Sequence, residues 1–122
     1  MIKSTLKNLR AASESDSIAT LASIKLPALQ AWDRAEGLED IDSKLRTYQK
    51  QIQAVAQRLE ITKEDPSHPQ WADFVEETNA LGEVEVEIAM EPIDVKSIGT
   101  GALAPMHVMM LKRCGILVKL AP

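Results

Sequence analysis

Between Leu38 and Leu59 apolar residues recur at alternating steps of three and four: Leu38, Ile41, Leu45, Tyr48, Ile52, Val55 and Leu59. Nearly every position between them is polar, so the spacing predicts a helix carrying an unbroken heptad seam. The helix should run to about Ile61, roughly 35 Å at the rise of an α-helix. The stretch "TKEDPSHPQ" then ends it, because neither Pro66 nor Pro69 can continue the hydrogen-bond ladder. Upstream, "STLKNLRAA" and "SDSIATLASI" read as short amphipathic helices. Each has a serine suited to capping and an apolar pair at helical spacing, Leu6 with Leu9 and Ile18 with Leu21. Pro27 fits the first turn of a further helix, which Gly37 weakens before the seam takes over.

After the proline loop a short helix is predicted, with Ser67 or His68 near its cap and Pro69 in its first turn. Trp71, Phe74, Val75 and Leu81 supply its apolar side and Gly82 its stop. The period then changes from helical to two. Val84, Val86 and Ile88 point one way and Glu83, Glu85 and Glu87 the other, as on a strand with one wet face. Pro92 breaks the run, "IDVKSI" reads as a second short strand, "GTGALAP" as a loop and "MHVMMLKRCG" as a short helix. The ending "ILVKLAP" places Ile116, Leu117, Val118 and Leu120 close together. So apolar a tail needs cover, and pairing with a strand of its own chain is the expected cover.

The pattern as a whole predicts an α+β fold in a single domain, 1–122. A helical part, 1–61, contains a hairpin with the long seamed helix. A proline-containing loop covers 62–70. The remainder, 71–122, holds a short helix, a small antiparallel β-element and a C-terminal helix or strand. The seam has two possible uses: packing on residues 4 to 35 of the same chain, or self-association as a coiled coil. With Leu38, Leu45, Ile52 and Leu59 at one core position and Ile41, Tyr48 and Val55 at the other, leucine dominates the first and β-branched residues fill two of the three places at the second. That choice leans towards trimers or tetramers if the seam joins chains. Both uses stay open on spacing alone.

Composition narrows the class of function. Aromatic residues make up only 3% of the chain, so the core must be aliphatic. A net charge of -4 and scattered basic residues argue against nucleic acid, which needs a basic stripe. No apolar run approaches the length of a membrane span, and the N-terminus lacks a signal-peptide layout, so a soluble protein, intracellular at birth, is expected. The lone Cys114 excludes an internal disulfide.

Candidate chemistry is sparse. Glu83, Glu85 and Glu87 could flank a cation, but an alternating strand with a solvent face explains them without a metal, and no calcium loop accompanies them. His68 and His107 have no neighbour at metal-ligand spacing, Cys114 no adjacent base, and "GTG" at 99–101 lacks the remaining residues of a phosphate loop. Met106, Met109 and Met110 suit core packing better than an adaptable binding surface. The residues give no catalytic site, metal, cofactor or small-molecule substrate, and a non-enzymatic protein is expected.

The segments "IKLPALQAW", "FVEETNALGEVEVEI" and "EPIDVKSI", placed around the long polar helix, resemble a family of small uncharacterised proteins encoded in bacteriophage and prophage genomes. The family resembles this chain in a Lys-Leu-Pro entering a long helix, a Phe-x-x-Glu-x-Asn-x-Leu helix, an acidic Glu-Val-Glu strand and a short Ile-rich strand. The match covers most of residues 24 to 98. The apolar ending "GTGALAPMHVMMLKRCGILVKLAP" departs from the acidic helical ending of the family. The resemblance implies a phage protein without catalytic residues. It would be a virion or assembly component working through self-association and packing with other structural proteins, made in the host cytoplasm and carried in the virion if structural. A small acidic inhibitor that covers a basic surface of a host protein is the other class the acidic strand allows.

Overall fold

The computed structural model describes residues 1–98 and 103–119. It is an α+β fold built around one long helix. Strand β1 (Ile2–Thr5) leads directly into helix α1 (Leu6–Glu14), with the Thr5 side chain accepting from the Asn8 amide at the N-cap. Helix α2 (Ser17–Ala22) follows a left-handed turn at Asp16, where φ is 63°. Helix α3 (Ala28–Arg58) is the long element, and α4 (Trp71–Gly82) returns beside it. Strand β2 (Glu85–Ile88), the two-residue strand β3 (Ile93–Asp94), a 3-10 turn at Val95–Ser97, helix α5 (Pro105–Arg113) and strand β4 (Leu117–Val118) complete the chain.

The N-terminal residues correct the sequence reading, which placed only helices in 1–61. Ile2–Thr5 is a strand, and it pairs antiparallel with β2 in the register Ile2 with Ile88 and Thr5 with Glu85. The small antiparallel element therefore joins the first residues of the chain to its second half. Ile2 and Ser4 point inward while Lys3 points to water, so the four residues do alternate; the partner strand is too distant in sequence for the pattern to declare it. The "IDVKSI" segment is a strand only at Ile93–Asp94, where it pairs parallel with β4. Asp94 then turns the chain into the 3-10 segment by accepting from the Lys96 amide.

Three further features of the helices differ from expectation. Helix α3 does not weaken at Gly37. The helix is continuous through it, and the absence of a side chain lets Met90 pack there: a Cβ at Gly37 would lie 2.4 Å from the Met90 Cβ. Nor do the prolines end α3. It stops at Arg58, where Glu60 adopts φ 58° and the Ile61 and Glu60 amides bond back to the Ala56 and Gln57 carbonyls. Helix α4 starts at Trp71, after Pro69 rather than around it, with the His68 ring accepting from the Gln70 amide.

The core is aliphatic, as the composition requires. Ile2, Leu9, Leu21, Ile41, Ile88, Leu111 and Ile116 meet at its centre, drawn from β1, α1, α2, α3, β2, α5 and the residue before β4, while α4 packs outside it. The C-terminal tail belongs to this core. Ile116 and Leu117 are buried, and the Ile93 amide donates to the Ile116 carbonyl at 2.7 Å. Leu120 and the "GTG" motif lie outside the described residues.

Candidate functional site

The seven seam residues face the body of their own chain. Ile41, Tyr48 and Leu59 are buried, and Leu38, Leu45, Ile52 and Val55 are half-buried against α1, α2, α4 and β2. Arg10 of α1 sits 5.8 Å over the Tyr48 ring, and Arg58 pairs with Glu77 across α3 and α4. Asp40 fixes the other side of the helix by accepting from the Ala89 amide at 2.9 Å and from Lys44 at 2.6 Å. Those two hydrogen bonds hold its carboxyl below the usual range. Of the two uses that spacing allows, the intrachain one is present in this structure.

Glu83, Glu85 and Glu87 project to solvent, Glu85 and Glu87 from β2 but Glu83 from the C-cap of α4 rather than from the expected strand. Glu83 pairs with Lys7 of α1, Glu87 lies across the ladder from Lys3, and Glu85 lies across from Thr5. Among the described residues only Glu83 of the three forms an ion pair, with Lys7. Among the described residues no group of three His, Cys, Asp or Glu side chains is placed to hold a metal ion.

One pair of side chains with nucleophile–base character was not visible in the sequence, because its members stand 90 residues apart. The Ser17 Oγ lies 2.8 Å from His107 Nδ1. Thr20 gives its hydroxyl proton to the Asp16 carbonyl, so it can only accept from His107 Nε2, at 3.5 Å. That arrangement selects the tautomer with the proton on Nε2 and lets Ser17 donate to Nδ1. With the Ser17 proton on Nδ1, Ser15 has two acceptors for its own single proton, Ser17 Oγ at 2.9 Å and the Ala12 carbonyl at 3.1 Å. Ser17, however, has no exposed surface and His107 is half-buried, so a substrate carbonyl has no approach to Oγ. The pair ties α2 to α5.

Cys114 is sealed as well. Burial pushes its thiol up to about 11, with the neighbouring Ser4 hydroxyl offsetting part of the effect, and its Sγ donates to the Asn8 carbonyl. A thiol held protonated in the core is not a nucleophile. Met106 and Met109 are exposed on α5 and only Met110 packs against the core, so the expected core role holds for one of the three.

The two most exposed large apolar side chains among the described residues lie on α3. Leu29 and Trp32 are 88% and 71% exposed, one turn apart near its start. Trp32 Nε1 donates to Glu36 at 2.7 Å, which holds the indole along the helix surface. Beside them a groove of about 350 Å³ runs between α3 and the 91–97 segment, with Leu29, Pro92 and Ile93 among its apolar walls and Asp33, Glu91 and Asp94 among its polar ones. Arg34, also in its lining, is buried, with no hydrogen-bond acceptor for its Nη1. Desolvation lowers its affinity for a proton while Asp33 opposes the effect. No helix among the described residues is long and apolar enough to cross a membrane. Comparison with protein-family models, curated proteins and solved structures returns no match to this chain.

Proposed function

We propose that this chain is a non-enzymatic component of a bacteriophage particle or of its assembly, acting by self-association and by packing against other structural proteins. The observation that carries the reading is the exposed Leu29–Trp32 pair on α3. Aromatic residues are only 3% of this chain, yet one of its two tryptophans stands in water rather than in the core. The pair presents on the order of 300 Å² of surface, the size at which a patch on a monomer tends to be functional. Covering its apolar part would return several kcal/mol before the costs of association, at about 25 cal/mol per Å².

The seam is committed inside the chain, so the outward surface of α3 is the side of the long helix left for a partner. The buried Ser17–His107 link and the protonated Cys114 support a role without catalysis. Blocking a basic host surface would draw on Glu83, Glu85 and Glu87, of which Glu83 is already paired with Lys7 and only Glu85 and Glu87 lie on the strand. That leaves the assembly reading better supported.

Light scattering over a wide concentration range tests it. The mass should rise above 13.4 kDa, and replacing Leu29 and Trp32 together with serine should abolish the rise. Because both side chains are exposed, the double variant should keep its stability within about 0.5 kcal/mol per substitution. A rise that ignores both substitutions removes the Leu29–Trp32 surface from the reading.

A further inference from the structure

We propose that two copies of this chain pair antiparallel along the outward face of α3. The proposal rests on the self-association reading above and names its surface and geometry. Charge on α3 is segregated by sign. Between Ala28 and Ser43 the exposed charged residues are Asp33, Glu36, Glu39 and Asp42, and the one cation in that half, Arg34, is buried. From Lys44 to Arg58 every charged residue is lysine or arginine. The helix macrodipole favours this order of signs only in the first and last turns, whereas the segregation here runs through the middle of the helix. Two ion pairs within the chain, Asp40 with Lys44 at 2.6 Å and Asp42 with Arg46 at 2.7 Å, occupy the junction. Away from it, Glu39 and Lys50 have no ion pair among the described residues, and the only hydrogen bond to Glu36 comes from Trp32.

An outward stripe runs opposite the buried seam. Leu29, Trp32, Glu36, Ser43, Lys50 and Gln57 follow steps of three, four or seven, so they share one face, and all are exposed. With a two-fold axis at Ser43, Leu29 lies over the partner's Gln57 and Trp32 over the partner's Ala54. Glu36 then meets the partner's Lys50. Each contact occurs twice, as closed symmetry demands. Large side chains meet small or flexible ones, and carboxylates meet ammonium groups. An in-register parallel pair would instead set Glu36 against its own copy and Lys50 against its own copy. The sign order therefore selects the antiparallel arrangement. The stripe measures about 42 Å by about 10 Å, roughly 400 Å² on each subunit. The total of about 800 Å² is below the range of stable specific interfaces and within that of weak, transient ones, so the pairing is reversible and sensitive to salt.

Charge exchange tests the geometry in the full chain. At low salt, sedimentation equilibrium should show the mass climbing from 13.4 kDa towards twice that value with concentration, and falling back at about 0.5 M salt. Glu36→Lys alone and Lys50→Glu alone should each weaken the dimer by about tenfold or more, since each sets like charges together twice. Both substitutions in one chain should restore it, and circular dichroism should show every variant folded. A monomer at all concentrations would overturn this pairing and the self-association reading together. An oligomer indifferent to the charge variants, but lost with the Leu29 and Trp32 substitutions, would leave self-association standing and overturn the antiparallel pairing. Failure of the double exchange to rescue would overturn it too.

Discussion

Gly37 shows how a single residue sets the distance between two elements. Alanine in a helix interior ordinarily stabilises by about 1 kcal/mol over glycine. Here its Cβ would lie 2.4 Å from the Met90 Cβ, too close for any rotamer of Met90 to relieve. Gly37→Ala should therefore destabilise by about 1–3 kcal/mol in urea unfolding, the usual range for overpacking. Met90→Ala should not rescue it, because the clashing carbon remains. A neutral or stabilising Gly37→Ala would show that α3 and the turn after β2 are not packed this closely. From sequence the glycine looked like a weak point in a helix; propensity reports the isolated helix, and the neighbour that needs the space lies 53 residues away. Asp40 belongs to the same contact. Its carboxyl is held below the ordinary 3.8 by Lys44 and by the Ala89 amide. A depressed carboxyl contributes stability that is fully present above its unfolded value and is lost as pH falls through its folded one. The stability gap between the wild type and Asp40→Asn should therefore be constant from neutral pH down to about 4 and close below it. A gap that holds unchanged at pH 2 would mean the carboxylate charge plays no part.

At the scale of elements, the legible parts were those whose cause is local. The seam of α3 repeats over 22 residues of contiguous sequence, and its burial follows that repeat from Leu38 to Leu59. The acidic strand and α5 were legible for the same reason, a clear period bounded by glycine or proline. What the pattern could not supply was pairing. β1 meets β2 across more than 80 residues, and Ser17 meets His107 across 90. Neither partner leaves a trace in the other's neighbourhood. The Ser17–His107 link makes its own prediction. Ser17→Ala should leave Nδ1 without its donor in a closed site and cost about 1–2 kcal/mol, with the far-UV spectrum unchanged. A loss below experimental error would mean that apolar packing alone joins α2 to α5. By contrast Ile41→Ala, in a seam position with 1% exposure, should cost about 2–5 kcal/mol.

For the whole molecule, the first and last of its described elements are structural members. β1 begins at Ile2 and β4 reaches Val118, so sheet segments far apart in the sequence close the core. Helix α5 delivers β4 by a helix stop in which Gly115, at φ 75°, and Ile116 bond back to the carbonyls of Lys112 and Leu111. The turn sets Ile116 in the core beside Ile2: a Cβ on Gly115 would sit 3.5 Å from the Ile2 side chain and 3.4 Å from the Lys3 carbonyl. Removing residues 116–122 therefore strips two fully or nearly fully buried side chains and leaves the Ile93 amide without its acceptor. Each buried aliphatic side chain lost costs about 2–5 kcal/mol, and the orphaned amide about 1–3 more. The sum rivals the whole stability of a domain of this size. The truncated chain should lose its cooperative thermal transition and expose the apolar faces of α1 and α5, seen as dye binding and aggregation. If it instead stays soluble, melts cooperatively and fails only to associate, the tail is a docking arm and the β3–β4 pairing contributes little to the core.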